Sequence, residues 1–398
     1  TDYSNPLSAN SKIELGLRAQ LRKADNENNI VIAGKNNNTV YTSTDNVYAA
    51  YANFSNRIKN FGYQLGLRAE SSDYEGNLLS KNENFNIEFP ISLFPSVFLS
   101  QKLGESDDLQ FNYSRRINRP NFWQLSPFTD YSDSLNISRG NPGLNPEFTN
   151  SFELSYSKTF KNRDNLLASV YFKNTNSLIT RIQNLEYDTV VKDDIFVNTY
   201  QNANNSYITG LELTSRNKVT KFWDLTANAN LFTSKIDLKD QKDPDQFVSY
   251  FFKLNNSFKL PKNFSLQLSG DYQSKVISSP SGGGRGGGGG GGFMGGPGAA
   301  AQGFIRPSYG VDAAVRFEFL KNKVASLSLN VNDIFRTRLF DQYTETVYSI
   351  QNSQRRRDAQ VFRLNFNYRF GKFDATLFKR KNTKADSNVD MNSGSPNF

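Results

Sequence analysis

Two short runs hold the residues best suited, by type and spacing, to contact a ligand. The first is Tyr113-Ser114-Arg115-Arg116-Ile117-Asn118-Arg119-Pro120-Asn121-Phe122-Trp123-Gln124-Leu125-Ser126-Pro127-Phe128, and the second is Gly140-Asn141-Pro142-Gly143-Leu144-Asn145-Pro146-Glu147. Arg116, Arg119, Trp123, Asn141 and Glu147, with Pro120 and Pro142 beside them, are the candidates for direct contact. Guanidinium, indole, amide and carboxylate groups of this kind bind and orient, but they do not by themselves catalyse. The competing reading is that the runs only organise a loop. Gly140-Asn141-Pro142 is turn chemistry, and Pro120, Pro127, Pro142 and Pro146 stiffen a connection of about thirty residues.

Other chemistry is excluded by composition. The chain of 398 residues has neither cysteine nor histidine. Disulfides, thiol chemistry, Cys/His zinc sites and histidine-based triads are therefore impossible. Acids and bases are plentiful, but none clusters with a nucleophile, so neither an enzyme nor a cofactor is expected. The net charge of +9 includes Arg355, Arg356 and Arg357 and the tail residues Lys379, Arg380, Lys381 and Lys384. These charges are scattered and no recognition motif accompanies them, so no nucleic-acid partner is expected. The glycine tract from Gly282 to Gly296 lacks Gly-Lys-Ser/Thr and a following helix, and reads as a flexible loop rather than a phosphate cradle.

The elements that must position the candidates are strands. Ile13, Leu15, Leu17, Ala19 and Leu21 alternate with Glu14, Gly16, Arg18, Gln20 and Arg22. Tyr63, Leu65, Leu67 and Ala69 alternate with Gln64, Gly66, Arg68 and Glu70, and the pattern recurs to Phe362, Leu364, Phe366 and Tyr368 near the end. Residues two apart share one face of a strand, so each segment has an apolar and a polar face. No run approaches the roughly 18 apolar residues of a spanning helix. The mean hydropathy of −0.60 does not exclude a membrane barrel, whose strands average polar and apolar faces.

The reading gives about fourteen strands, at 11–22, 44–56, 61–70, 84–103, 109–117, 147–160, 166–181, 206–219, 225–238, 247–260, 264–277, 304–319, 324–338 and 358–371. Short connections (Asn56–Asn60, Gly104–Asp108, Lys161–Asn165, Thr220–Asp224, Pro261–Asn263, Leu320–Lys323) alternate with long ones (Lys23–Ser43, Ser71–Asn84, Asn118–Pro146, Gln183–Asn205, Lys239–Gln246, Ser278–Gly303). Tight periplasmic turns and long extracellular loops have this asymmetry. The chain is therefore expected to be all-β: a transmembrane antiparallel barrel over 1–372, with a Gly-rich extracellular loop at 278–303 and a disordered polar tail at 373–398. Leu266, Leu268, Val311, Val315, Leu364 and Phe366 should meet lipid, and Gln267, Asp312, Arg316, Arg363 and Asn365 the lumen. Arg116 continues the lumen-facing phase of Gln110, Asn112 and Ser114. Arg115 falls in the apolar phase, where charge is tolerable only near the interface.

The Tyr-Ser-Arg-Arg-Ile-x-Arg-Pro strand end, the Leu125-x-Pro127-Phe128 segment and the Gly-Asn-Pro-x-Leu-x-Pro-Glu return resemble the barrel of Bacteroidetes-type TonB-dependent receptors, the outer membrane protein beta-barrel subfamily. Phe94-Pro95-Ser96 and Asn367-Tyr368-Arg369-Phe370-Gly371-Lys372 are similar too. The resemblance implies an outer-membrane receptor that takes up metal chelates, glycans or peptides with energy relayed by the TonB system, and a surface lipoprotein as a further partner. It also implies a 22-stranded barrel with an N-terminal plug. With about fourteen strands in hand, about eight strands and the plug are missing, and the chain is expected to be the C-terminal part. A self-closed, porin-like channel and an adhesive surface barrel remain as alternatives. Loop composition does not name the substrate.

Overall fold

A computed structural model describes residues 1–32, 35–79, 83–126, 136–188, 193–203, 205–237, 246–278, 302–346, 348–356 and 360–370. The wall consists of β1 (Asp2–Pro6), β2 (Ser11–Ile32), β3 (Lys35–Ile58), β4 (Phe61–Leu78), β5 (Glu83–Lys102), β6 (Asp107–Asn118), β8 (Glu147–Thr159), β9 (Asn165–Asn176), β12 (Asn205–Lys218), β13 (Trp223–Asp237), β14 (Val248–Lys259), β15 (Phe264–Gln273), β18 (Ser308–Phe319), β19 (Ala325–Val331) and β22 (Phe362–Tyr368). They form one 15-stranded sheet in this order, antiparallel throughout. The remaining strands belong to loops. β7 (Asn136–Ser138), β10 (Ile179–Asp188) and β11 (Asp193–Asn202) make a three-stranded sheet, and β16 (Val276–Ser278), β17 (Gln302–Ile305), β20 (Phe340–Glu345) and β21 (Ile350–Arg355) a four-stranded one. Among the described residues the α-helix is a single turn, α1 (Phe122–Leu125).

Each expected strand has its counterpart in the wall, and several boundaries differ for physical reasons. Lys23–Ser43 and Ser71–Asn84, read as loops, instead prolong the hairpins β2–β3 and β4–β5. Alternation of polarity arises where one face meets an apolar medium. Beyond that zone a ladder can continue with polar residues on both faces, and the signal vanishes. Asp2–Pro6 was missed for the same reason, and it pairs with Lys12–Gly16. The segment 11–22 thus pairs with β3 along its whole length and with β1 over Lys12–Gly16. The expected strand 166–181 breaks at Ser177, whose φ of 55° ends β9 before Ile179 opens β10. The expected strand 304–319 breaks at Pro307, which has no N–H to donate. The expected strand 324–338 stops at Val331, where Asp333 and Arg336 adopt φ of 47° and 57°. The Gly-rich segment 279–301 and the tail 371–398 lie outside the described residues.

Register aligns the two faces from strand to strand. Leu266, Val315, Leu329 and Leu364 form one row across β15, β18, β19 and β22. The adjacent row on the opposite face is Ser265, Arg316, Ser328 and Asn365. A second apolar row crosses five strands through Leu154, Val170, Leu211, Leu231 and Tyr250. All five side chains are exposed. Contiguous exposed apolar rows on this scale suit lipid rather than water. Cysteine at Leu364 or Phe366 is expected to react with a membrane-dissolved maleimide, and cysteine at Arg363 or Asn365 with a water-soluble one. Both reagents labelling one face equally would show the register to be wrong, because a one-residue slip exchanges the faces.

Candidate functional site

The candidate runs begin where β6 leaves the wall. Arg116 stands opposite Thr149 of β8, exposed and in the polar phase. Arg115 stands opposite Asn150 in the apolar phase. Its guanidinium lies over the Phe148 ring, 4.9 Å from the centroid, a contact that offsets part of the cost of placing charge there.

Arg119 then reaches back to β4. It forms an ion pair with Glu70, and its Nε donates to Ser72 Oγ at 2.7 Å. Arg68 binds the same carboxylate. Glu70 is 7% exposed, and a buried carboxylate of this kind requires such partners. Just past it, between Glu70 and Ser72, the β4–β5 pairing shifts register, with the extra residue of the bulge on β5. β4 keeps its phase, and Ser72, Tyr74 and Leu78 are buried on the same face as Glu70.

What covers them is the loop itself. Asn121 caps α1: its Oδ1 accepts from Gln124 N at 3.1 Å, and Gln124 Oε1 accepts from Asn121 N at 2.9 Å. This reciprocal box satisfies donors that one helical turn leaves free. The Phe122 ring stacks on Tyr41 at 4.2 Å, with Trp123 edge-on to Tyr41 at 5.9 Å. Leu125, fully buried, packs with Tyr74, Leu144 and Ile179, flanked by Phe85, Ile87, Phe122 and Tyr200. The loop is thus wedged between the β4–β5 extension and the β10–β11 hairpin.

The return run closes the wedge. Gly140 N donates to Ser126 O at 2.8 Å and Asn141 N to Gln124 O at 2.7 Å. A Cβ at Gly140 would meet Ser126 N and Trp123 O at 2.7 Å, so only glycine lets these backbones approach. Asn141 Nδ2 donates to Tyr200 O at 2.9 Å, and its Oδ1 accepts from Gly143 N at 2.8 Å. Asn202 accepts from Asn145 N at 2.8 Å and donates to Asn145 O at 3.0 Å. Glu147 accepts from Asn118 Nδ2 at 2.6 Å and Ile179 N at 2.7 Å. It is the loop-end residue of β8, beyond the roughly 9–11 residues that cross a membrane from the turn end at Thr159. Burial pushes its carboxyl above the usual range, against the pull of these two donors.

The candidates therefore divide. Arg119, Asn141 and Glu147 bind the loop to its neighbours, Pro120 is buried and Pro142 half-buried beside them. Arg116 and Trp123 are exposed, Trp123 at 62%, and each presents part of its side chain to the surroundings.

The structure also gathers residues that sequence reading recognised only as polar-face positions. A cavity of about 480 Å³ is bounded by Arg18, Arg22, Arg68, Glu70 and Arg119, with Val47 and Phe89 among its apolar lining. Alternation placed Arg18, Arg22, Arg68 and Glu70 on one face, but it could not bring Arg119 to them from another loop. A second cluster lies across the wall. Arg338 pairs with Asp271 of β15 and with Asp312 of β18, the latter at 3.2 Å. Its guanidinium fills the space above Gly310, where a Cβ would meet it at 2.5–2.6 Å. Among the described residues no group of acidic side chains is placed to hold a metal ion.

Solved structures share this architecture. The ferric citrate transporter FecA in its unliganded form aligns with a TM-score of 0.61 at 14% identity, covering 93% of this chain and 53% of that one. The ferric-catecholate import receptor Fiu of E. coli K12 aligns at 0.60 with 13% identity, covering 90% and 52%. The copper transporter OprC aligns at 0.63 with 12% identity, covering 91% and 54%. The chain thus spans about half the length of the structures it matches, and at these identities the likeness is one of fold. No curated protein matches the sequence. Residues 1–368 match the outer membrane protein beta-barrel family, and with the apolar rows and the meandering wall this establishes the chain as a member of that family, a β-barrel protein of the bacterial outer membrane.

Proposed function

We propose that this chain is the C-terminal part of the barrel of a TonB-dependent receptor that carries a scarce solute across the outer membrane. The observation that supports this best is the alignment of nine-tenths or more of the chain with about half of each of three receptors or transporters. In the same reading the short turns face the periplasm and the loop sheets face outward. The sheet agrees with this: β1 and β22 each have one strand neighbour among the described residues. An unpaired edge in hydrocarbon exposes N–H and C=O groups at several kcal/mol each. Further strands would supply the missing pairing and a plug would fill the lumen. The TonB system is the proposed energy source, a surface lipoprotein is a further proposed partner, and the Bacteroidetes type is the proposed subtype.

The test compares growth of the parent, a strain lacking this protein and a strain lacking TonB on ferric chelates, peptides and glycans. Loss of the protein is expected to abolish use of one solute class, and loss of TonB the same class. A solute lost with the protein but retained without TonB would overturn the reading. So would stable single-channel steps of one size from the purified protein in planar bilayers, which a passive porin would give.

A further inference from the structure

The cavity over β2, β3 and β4 has a layout that the loop-holding role of Arg119 does not explain. Register puts Arg18, Ala49 and Glu70 in one row and Arg22, Asp45 and Tyr74 four residues along. Arg18 and Glu70 are therefore two strand spacings apart, about 10 Å. The residue between them is Ala49, whose side chain is a single methyl group. Four guanidinium groups, those of Arg18, Arg22, Arg68 and Arg119, line the cavity, against three carboxylates, those of Asp45, Glu70 and Asp73. The carboxylates are already engaged. Asp45 pairs with Arg22 at 2.6 Å, Glu70 serves both Arg68 and Arg119, and Asp73 accepts from Asn46 Nδ2 at 2.9 Å. Arg18 donates to a neutral partner, Gln20 Oε1, at 2.6 Å, and has no carboxylate partner among the described residues.

A guanidinium presents five donors in a planar fork that matches a carboxylate or phosphate. Val47, Phe89 and Ile117 add apolar lining, and partial exclusion of water strengthens any charge pairing formed there. We propose that this cavity binds an oxyanion group, carboxylate or phosphate, of the transported solute, with Arg18 as its principal partner and Arg22 beside it. The proposal rests on the receptor reading above and assigns it a solute class, anionic solutes, and a place on the barrel wall.

The experiment titrates the full-length protein, purified in detergent at low salt, with citrate, with inorganic phosphate and with maltose as a neutral comparator. Citrate and phosphate are expected to bind and maltose not to. Arg18→Gln is expected to weaken citrate about tenfold or more, the size of one charge-assisted contact. Arg18→Lys should recover part of the loss, and added salt should weaken the parent. Arg18 is exposed and ties down no loop, and an unchanged tryptic pattern would show that the variants fold. Equal citrate affinity in the parent and Arg18→Gln would overturn the proposal. So would binding of neither anion, the outcome if a carboxylate of the polypeptide already occupied the site. The receptor reading fails separately: TonB-independent uptake with anion binding intact would remove that reading and leave the site. TonB-dependent uptake of a neutral solute, unchanged in Arg18→Gln, would do the reverse.

Discussion

Replacing Glu70 by leucine is expected to release the loop that begins at Arg119 while leaving the wall intact. The carboxylate is nearly inaccessible, and the side chains of its partners Arg68 and Arg119 are 29% and 23% exposed. Removing one member of a buried ion pair leaves the other charged and unpaired, at about 3–5 kcal/mol. The partners here are only partly buried, so a loss near the lower end, about 3 kcal/mol, is expected. That loss falls on the attachment of α1 rather than on strand pairing. The amides of Leu125 and Ser126, bonded to Asn121 O and Phe122 O, should then exchange about a hundredfold faster. Amides along the β12–β13 ladder should not change. Unaltered exchange in α1 would mean that the aromatic packing alone seats the loop.

Gly140→Val is expected to have a comparable effect by a different route. The atoms that a side chain would strike, Ser126 N and O and Trp123 O, are backbone. Backbone cannot swing aside as a flexible side chain can, so either α1 or the return run must move. Overpacking of this kind costs about 1–3 kcal/mol, occasionally more. Displacement would also draw Leu125 from the cluster it shares with Tyr74, Leu144 and Ile179. Trypsin reports the change, because Arg139 lies in the wedge. Cleavage after Arg139 should be slow in the parent and rapid in Gly140→Val, with the wall strands resistant in both. Equal rates would show that the loop repacks around the valine. Gly140→Ala should fall between the two.

How much of this was legible in the sequence depends on what imposed each feature. Where an apolar medium meets one face of the wall, every second residue must be apolar, so Leu364 and Phe366 were readable as neighbours on a face without any knowledge of their partners. The upper halves of β2 to β5 answer to no such medium, and their polar sequences look like loops although their ladders continue, with one shift of register between β4 and β5. The two-part motif was legible as a unit, and its turn residues do close the loop. Its charges were not legible as partners. Arg119 meets Glu70 at a separation of 49 residues and Arg338 meets Asp271 at 67. No local pattern encodes a contact between a loop and a wall strand that far away. The same limit hid the cavity: its lining comes from five wall strands and one loop, each unremarkable when read singly.

The order of strands in the sheet also bears on how the molecule comes together. Every wall strand pairs with the wall strand before it in the chain. Joining ends across a loop costs entropy that rises only slowly with loop length, and pairing between near neighbours is the fast kind. The wall can therefore zip up one strand at a time, with no step waiting for a distant segment. The loop sheets run on a different clock. β7 must await β11, and β17 must await β20, so both close only after the intervening wall strands have docked. A chain arrested midway would have a sound wall and an unfinished rim.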